Sequence, residues 1–179
     1  SRTVELFELA KASTMLTIPM TMQCLTNCRN TGDWQTAYRV YKAAKKNTGV
    51  ATEGRRPQQE VPSIIYGQTA VALARCGAES QTFEVVTEML SAGVIPTVQT
   101  VDNIVLDLSK RGAYQVIIGV FDQLRRYHLN SRISDRALNA QLNACAKARA
   151  FDAVLMTYER YMQDDNQRSR LDSIGLSVL

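Results

Sequence analysis

Proline and aromatic residues are scarce in this sequence. Four prolines, at positions 19, 57, 62 and 96, serve 179 residues, and aromatics make up 7% with a single tryptophan. Histidine is rarer still: His128 stands alone, so a zinc site that needs several imidazoles, or a nucleophile activated by a histidine base, lacks its parts. No Gly-rich phosphate loop, His-Glu zinc motif or nucleophile elbow occurs either. Asp164–Asp165, beside Asn166, reads as a solvated charge run rather than a metal pair. The pattern therefore predicts no enzyme, no metal and no cofactor. The longest apolar run, Val116 to Phe121, is far too short to span a bilayer, and no signal-like segment opens the chain, so no membrane partner is expected. Four cysteines, at 24, 28, 76 and 145, do not make a disulfide-dense scaffold and point to a reducing compartment. What the chain does have is 45% hydrophobic and 21% charged residues, the balance of a folded protein, and a length that suggests one domain. Its 21 Lys and Arg against 17 Asp and Glu leave a net charge of +4, compatible with a polyanionic partner but too small to demonstrate one.

Between the prolines run stretches rich in Ala, Leu, Val and Gln with little strict alternation, which is helical grammar. The one loop-like insert is 45–62, KKNTGVATEGRRPQQEVP, whose Lys45, Lys46, Arg55 and Arg56 read as a solvated basic loop. Glycines that can close a helix recur at 32, 77 and 112; the last two are 35 residues apart, and the longer first interval contains the insert. Counting onward, Arg149 stands where a fourth such glycine is expected.

Ahead of each anchor the same pattern returns: Thr21, Leu25, Cys28; Tyr66, Ala70, Leu73; Val101, Val105, Leu108; and Leu138, Leu142, Cys145. Spacings of four then three trace one helix face. After each anchor come Trp34, Ala37, Tyr41, Ala44; Glu79, Thr82, Val86, Met89; Tyr114, Ile117, Phe121, Leu124; and Phe151, Val154, Tyr158, Tyr161. Each unit thus reads as two short helices joined by a tight turn, and one such pair cannot bury its own stripe. Stacking neighbours removes it from water, at roughly 25 cal/mol per Å2 of apolar surface. The predicted fold is all-α, a right-handed α-solenoid of stacked antiparallel helix hairpins. Its expected units are 18–62 (with the insert), 63–97, 98–134 and 135–169. They are flanked by a second helix at 1–17 and a first helix at 170–179, as if cut from a longer array.

The segment Ser63–Thr97 carries Tyr66 early, ARCGAES at the turn, then FEVVTEMLSAGVIPT, with Met89, Gly93 and Pro96 at Met-x-x-x-Gly-x-x-Pro spacing. This resembles the pentatricopeptide repeat family. VDNIVLDLSKRGAYQVIIGVFDQL, LNACAKARAFDAVLMTYERYM and QCLTNCRNTGDWQTAYRVYKAA fit the same template, so the resemblance covers nearly all the chain outside the insert.

That resemblance implies single-stranded RNA as ligand, read about one base per repeat, and a mitochondrial or chloroplast location. It places base-facing side chains at Met22, Gly67, Asp102 and Asn139, with closing readers at Thr97, Ser134 and Ser169. Asn139 suits the role because an amide both donates and accepts. Met22 and Gly67 offer no side-chain hydrogen bond of the usual type, and no closing residue is the Asp or Asn that sequence-reading members favour. Near the end of each first helix stands a cation, Arg29, Arg75, Lys110 or Lys147, a candidate row for phosphate contact, although the helix dipole also favours cations there. The expectation is an RNA-associated architectural protein of a mitochondrial ribonucleoprotein such as the mitochondrial ribosome, with RNA and neighbouring proteins as partners. The alternatives are a sequence-reading organellar factor for RNA processing or stability, and a protein-only helical scaffold.

Overall fold

A computed structural model describes residues 17–48 and 61–163. Among the described residues the regular structure is entirely helical: eight α-helices and one short 3-10 turn, with no strand. Where length suggested a single domain, the chain divides into two compact units, 1–94 and 95–179. The terminal half-units expected at 1–17 and 170–179, Ser169, Arg55, Arg56 and Asp164–Asp165 lie outside the described residues, Thr17 excepted.

In the first unit, α1 (Ile18–Thr31) is followed by α2 (Trp34–Thr48), α3 (Ser63–Cys76) and α4 (Glu79–Ser91). The Thr17 hydroxyl caps α1 by accepting the Met20 N–H, and Pro19 sits in the first turn, where its missing donor costs nothing. Gly32 ends α1 at φ +76° and Gly77 ends α3 at φ +83°, a left-handed conformation that a Cβ would oppose. The next residue's amide then reaches back to close the helix, Asp33 N–H to Cys28 C=O at 3.1 Å and Ala78 N–H to Leu73 C=O at 3.0 Å. Helix α1 packs on α2 and α3, and α3 also packs on α2 and α4. With three helices around it, α3 buries residues on every side: Ile65, Tyr66, Thr69 and the run Ala70 to Ala74. Tyr41 of α2 meets Tyr66 of α3 with ring centroids 5.8 Å apart.

In the second unit, α5 (Val98–Lys110), α6 (Tyr114–Arg126), α7 (Asp135–Lys147) and α8 (Phe151–Gln163) follow the same order, with the 3-10 turn Asn130–Arg132 before α7. Helix α5 packs on α6 and α7, α6 on α7, and α7 on α8. The turn after α5 uses Gly112 at φ +74°, and the turn after α7 uses Arg149 at φ +56°. The arginine substitutes for glycine in residue type and not in backbone: Ala150 N–H reaches Cys145 C=O at 2.9 Å just as Ala113 N–H reaches Leu108 C=O at 3.1 Å. His128 repeats the lesson. It occupies the place of Gly93, 35 positions on, at φ +56° against +73°, and the following amide bonds back to Leu124 as Val94 does to Met89.

All twelve first-helix positions of the repeat pattern are buried. The second-helix stripe is buried at its second and third columns except Tyr158, which is half-buried. Its first column is not: Trp34 and Tyr114 are half-buried, Glu79 is exposed and Phe151 is 63% exposed. Each of these opens its helix, where the chain has only just left the turn. The polar insert begins later than its composition suggests. Helix α2 continues through Thr48, so Lys45 and Lys46 are helical, and Lys45 is ion-paired rather than part of a solvated loop.

Candidate nucleic-acid interface

The candidate residues sit on the first helix of each pair. Met22 and Arg29 lie on α1, Gly67 and Arg75 on α3, Asp102 and Lys110 on α5, and Asn139 and Lys147 on α7. Because α1 packs beside α3, and α5 beside α7, each unit holds two such helices as neighbours. Met22, Gly67, Asp102 and Asn139 are all half-buried, while Arg75, Lys110 and Lys147 are exposed and Arg29 is half-buried. Eight residues separate the early position from the cation on α3, α5 and α7, which is about 12 Å along a helix axis. The two kinds of candidate position therefore lie at opposite ends of one helix.

Asp102 and Ser134 are brought together. The Ser134 hydroxyl donates to Asp102 Oδ1 at 2.5 Å and accepts the Ala137 N–H at 3.0 Å, capping α7. Ser134 has thus given its only proton to a neighbouring candidate, and Asp102 keeps its other oxygen as an acceptor. Thr97 does equivalent capping work on α5, accepting the Thr100 N–H at 3.1 Å. The Asn139 amide oxygen and Arg29 Nε are buried with no hydrogen-bond partner. Each offers capacity that a ligand group can fill, an acceptor at Asn139 and a donor at Arg29. Lys110 faces Asp107 at 3.5 Å, with its side chain 75% exposed, so the pair leaves the ammonium largely in water.

The thiols behave as packing groups. Cys24, Cys28 and Cys145 are buried and none of the four cysteines is in a disulfide. Burial, aided by the Asp33 charge, pushes the Cys28 thiol up to about 12, which leaves it inert at neutral pH. Among the described residues no cluster of three or more His, Cys, Asp or Glu can hold a metal ion, and no helix is long and apolar enough to cross a membrane.

A second polar cluster, on the second helices, escaped the sequence reading. The Tyr38 hydroxyl donates to Glu84 at 2.6 Å, Tyr41 donates to Glu88, and Lys42 and Lys45 reach Glu84 and Glu88 at 3.0 and 2.9 Å. Lys42 also lies over the Tyr38 ring, 4.9 Å from its centroid. Hydrogen bonds from Tyr38 and Lys42 hold the Glu84 carboxyl below its ordinary range. Burial raises Glu88, but bonds from Tyr41 and Lys45 outweigh it and the net direction is down. Burial and the Glu88 bond push the Tyr41 phenol well up, and bonds to Tyr38 and Glu84 raise Lys42. The signal was present as i, i+4, i+7 spacing of Tyr38, Lys42 and Lys45 against Glu84 and Glu88 one turn apart, but the pairing register between the helices was not.

No protein-family model matches the chain, and no curated protein matches it.

Proposed function

We propose that this chain is an RNA-associated helical-repeat protein of the pentatricopeptide type, serving as an architectural component of a mitochondrial ribonucleoprotein such as the mitochondrial ribosome, and not as an enzyme. The observation that carries the reading is a repeated one: each unit sets two first helices side by side, and each first helix carries a half-buried early position and a cation in its last turn. The recurring order of contacts within each unit, first helix to second, second to the next first, and first to the next first, supports an α-solenoid; its right hand is part of the proposal. Such stacking spaces single-strand contacts regularly.

Architecture is favoured over decoding by the Asp102–Ser134 bond. A closing residue that donates its proton within the protein has none left for a base, and Met22 and Gly67 have none to begin with. The test is binding of the full chain to short RNAs of varied sequence, with photocrosslinks mapped on the protein. Comparable affinities, with crosslinks on α1, α3, α5 and α7, support the reading. A strong preference for one sequence favours a decoding factor, and absence of binding at low salt favours a protein-only scaffold.

A further inference from the structure

The corner that joins α6 to α7 concentrates the positive charge of the chain. Residues 125–136, RRYHLNSRISDR, hold four arginines against the single Asp135, a net +3 in a chain whose total is +4. The preceding junction of the same kind, 91–98, carries no charged residue. Arg125 is spent on Asp122 at 2.6 Å, but Arg126, Arg132 and Arg136 are exposed and make no ion pair among the described residues. The backbone beneath them is fixed. His128 N–H bonds to Arg125 C=O, Leu129 N–H to Leu124 C=O and Arg132 N–H to Leu129 C=O, each at 2.9 Å, and buried Ile133 anchors the turn. Two placements here cost local stability. His128 holds a left-handed backbone that glycine fills at the preceding junction, and Arg136 stands in the first turn of α7, where the helix dipole disfavours a cation. Local rules broken together at one corner point to a surface kept for recognition.

We infer that this corner grips the sugar–phosphate backbone of a base-paired RNA stem adjoining the strand held on the first helices. An arginine side chain only donates, and its planar fork matches phosphate oxygens. A paired stem presents phosphates and 2′-hydroxyls while its base edges are turned inward, so a corner of donors suits it. Tyr127, 40% exposed between Arg126 and His128, adds a ring and a hydroxyl for the ribose. A carboxylate-rich protein would also meet the arginines, but position favours RNA. Arg136 lies one turn ahead of Asn139 on α7, so RNA at the early positions of α5 and α7 passes beside the corner. The inference rests on the RNA reading above and adds a paired stem to the single strand.

The experiment compares two RNAs on the full chain: a short oligo(U) strand, and the same strand continued into a GC-rich hairpin stem. The stem should tighten binding about tenfold at low salt and steepen the slope of log affinity against log salt by about 2.7, for three duplex phosphate contacts. R126Q/R132Q/R136Q should abolish that increment while leaving single-strand affinity and the helical signal unchanged, and R126K/R132K/R136K should keep most of it. A stem that adds nothing, an increment that survives the Gln variant, or an equal loss on both RNAs overturns the inference. So does a loss confined to binding of poly-L-glutamate, which gives the corner to an acidic protein. Binding of neither RNA overturns the RNA reading itself, whereas binding of the single strand without the increment overturns this inference alone.

Discussion

The seam between α2 and α4 and the seam between α6 and α8 occupy the same position in their units and are built for different ends. The first is bridged by two tyrosines, two lysines and two glutamates, in bonds that connect residues 42 to 47 positions apart. The second places its acid and base, Asp122 and Arg125, on one helix, and α8 answers with Ala153, Met156 and Thr157. Among the described side chains no hydrogen bond or ion pair crosses from α6 to α8. The buried stripe recurs in both units, Ala37 and Tyr41 against Ile117 and Phe121, while the residues beside it differ.

The largest expected effect separates stripe from stitching. Tyr41 and Phe121 share a column and are both fully buried, so replacing either with Ala should cost about 3–5 kcal/mol in chemical denaturation. Exchanging the two should destabilise both units, for different reasons. Tyr41→Phe leaves the half-buried Glu88 without its phenol and should cost about 1–3 kcal/mol, whereas Phe121→Tyr costs a similar amount by burying a hydroxyl in an apolar site. Equal and negligible effects of both exchanges would refute the comparison.

A pH titration of stability resolves the two seams. The lowered Glu84 and Glu88 carboxyls contribute stability that is present above their unfolded value near 4.5 and is lost as pH falls through their folded values. The raised Tyr41 and Lys42 contribute stability that is full below about pH 10 and is lost as pH rises through their folded values. Hydrogen exchange should therefore show α2 and α4 loosening at both extremes, with the signals of α6 and α8 changing less.

Smaller gains should come from the turns. His128→Gly and Arg149→Gly each relieve a non-glycine residue at φ +56°, and each should raise stability by about 1 kcal/mol. Gly93→Ala should lower it by a similar amount, through backbone strain alone, since nothing lies within 4 Å of the added Cβ. The smallest effect is expected of Tyr38→Phe, since an exposed bridge of the Tyr38–Glu84 kind is worth under about 1 kcal/mol in chemical denaturation.

The all-helical class and the helix boundaries were legible because their signals are local. Helix faces repeat at three and four residues, and the turn residues mark where each helix ends; even Arg149 was found by its place in the count despite its chemistry. His128 was legible only in part. Its solitude among the residue types was readable, but its left-handed backbone emerges on comparing it with Gly93. The polar pairs were not legible. Asp102 meets Ser134 across 32 residues and Tyr38 meets Glu84 across 46, and such pairs depend on how far one helix slides along another. The insert's start was misplaced for a related reason. Lys45 is polar and basic like the sequence that follows, yet it lies within α2 and pairs with Glu88 of α4.

The central claim is phosphate contact by the cations of the first helices, and its most direct test is the salt dependence of single-stranded RNA binding. For four contacts, log affinity should fall against log salt with a slope of about −3, a loss of roughly fiftyfold between 50 and 200 mM. In the variant with Arg29, Arg75, Lys110 and Lys147 all changed to Gln, the slope should collapse toward zero while the helical signal is retained. An unchanged slope in that variant contradicts the account.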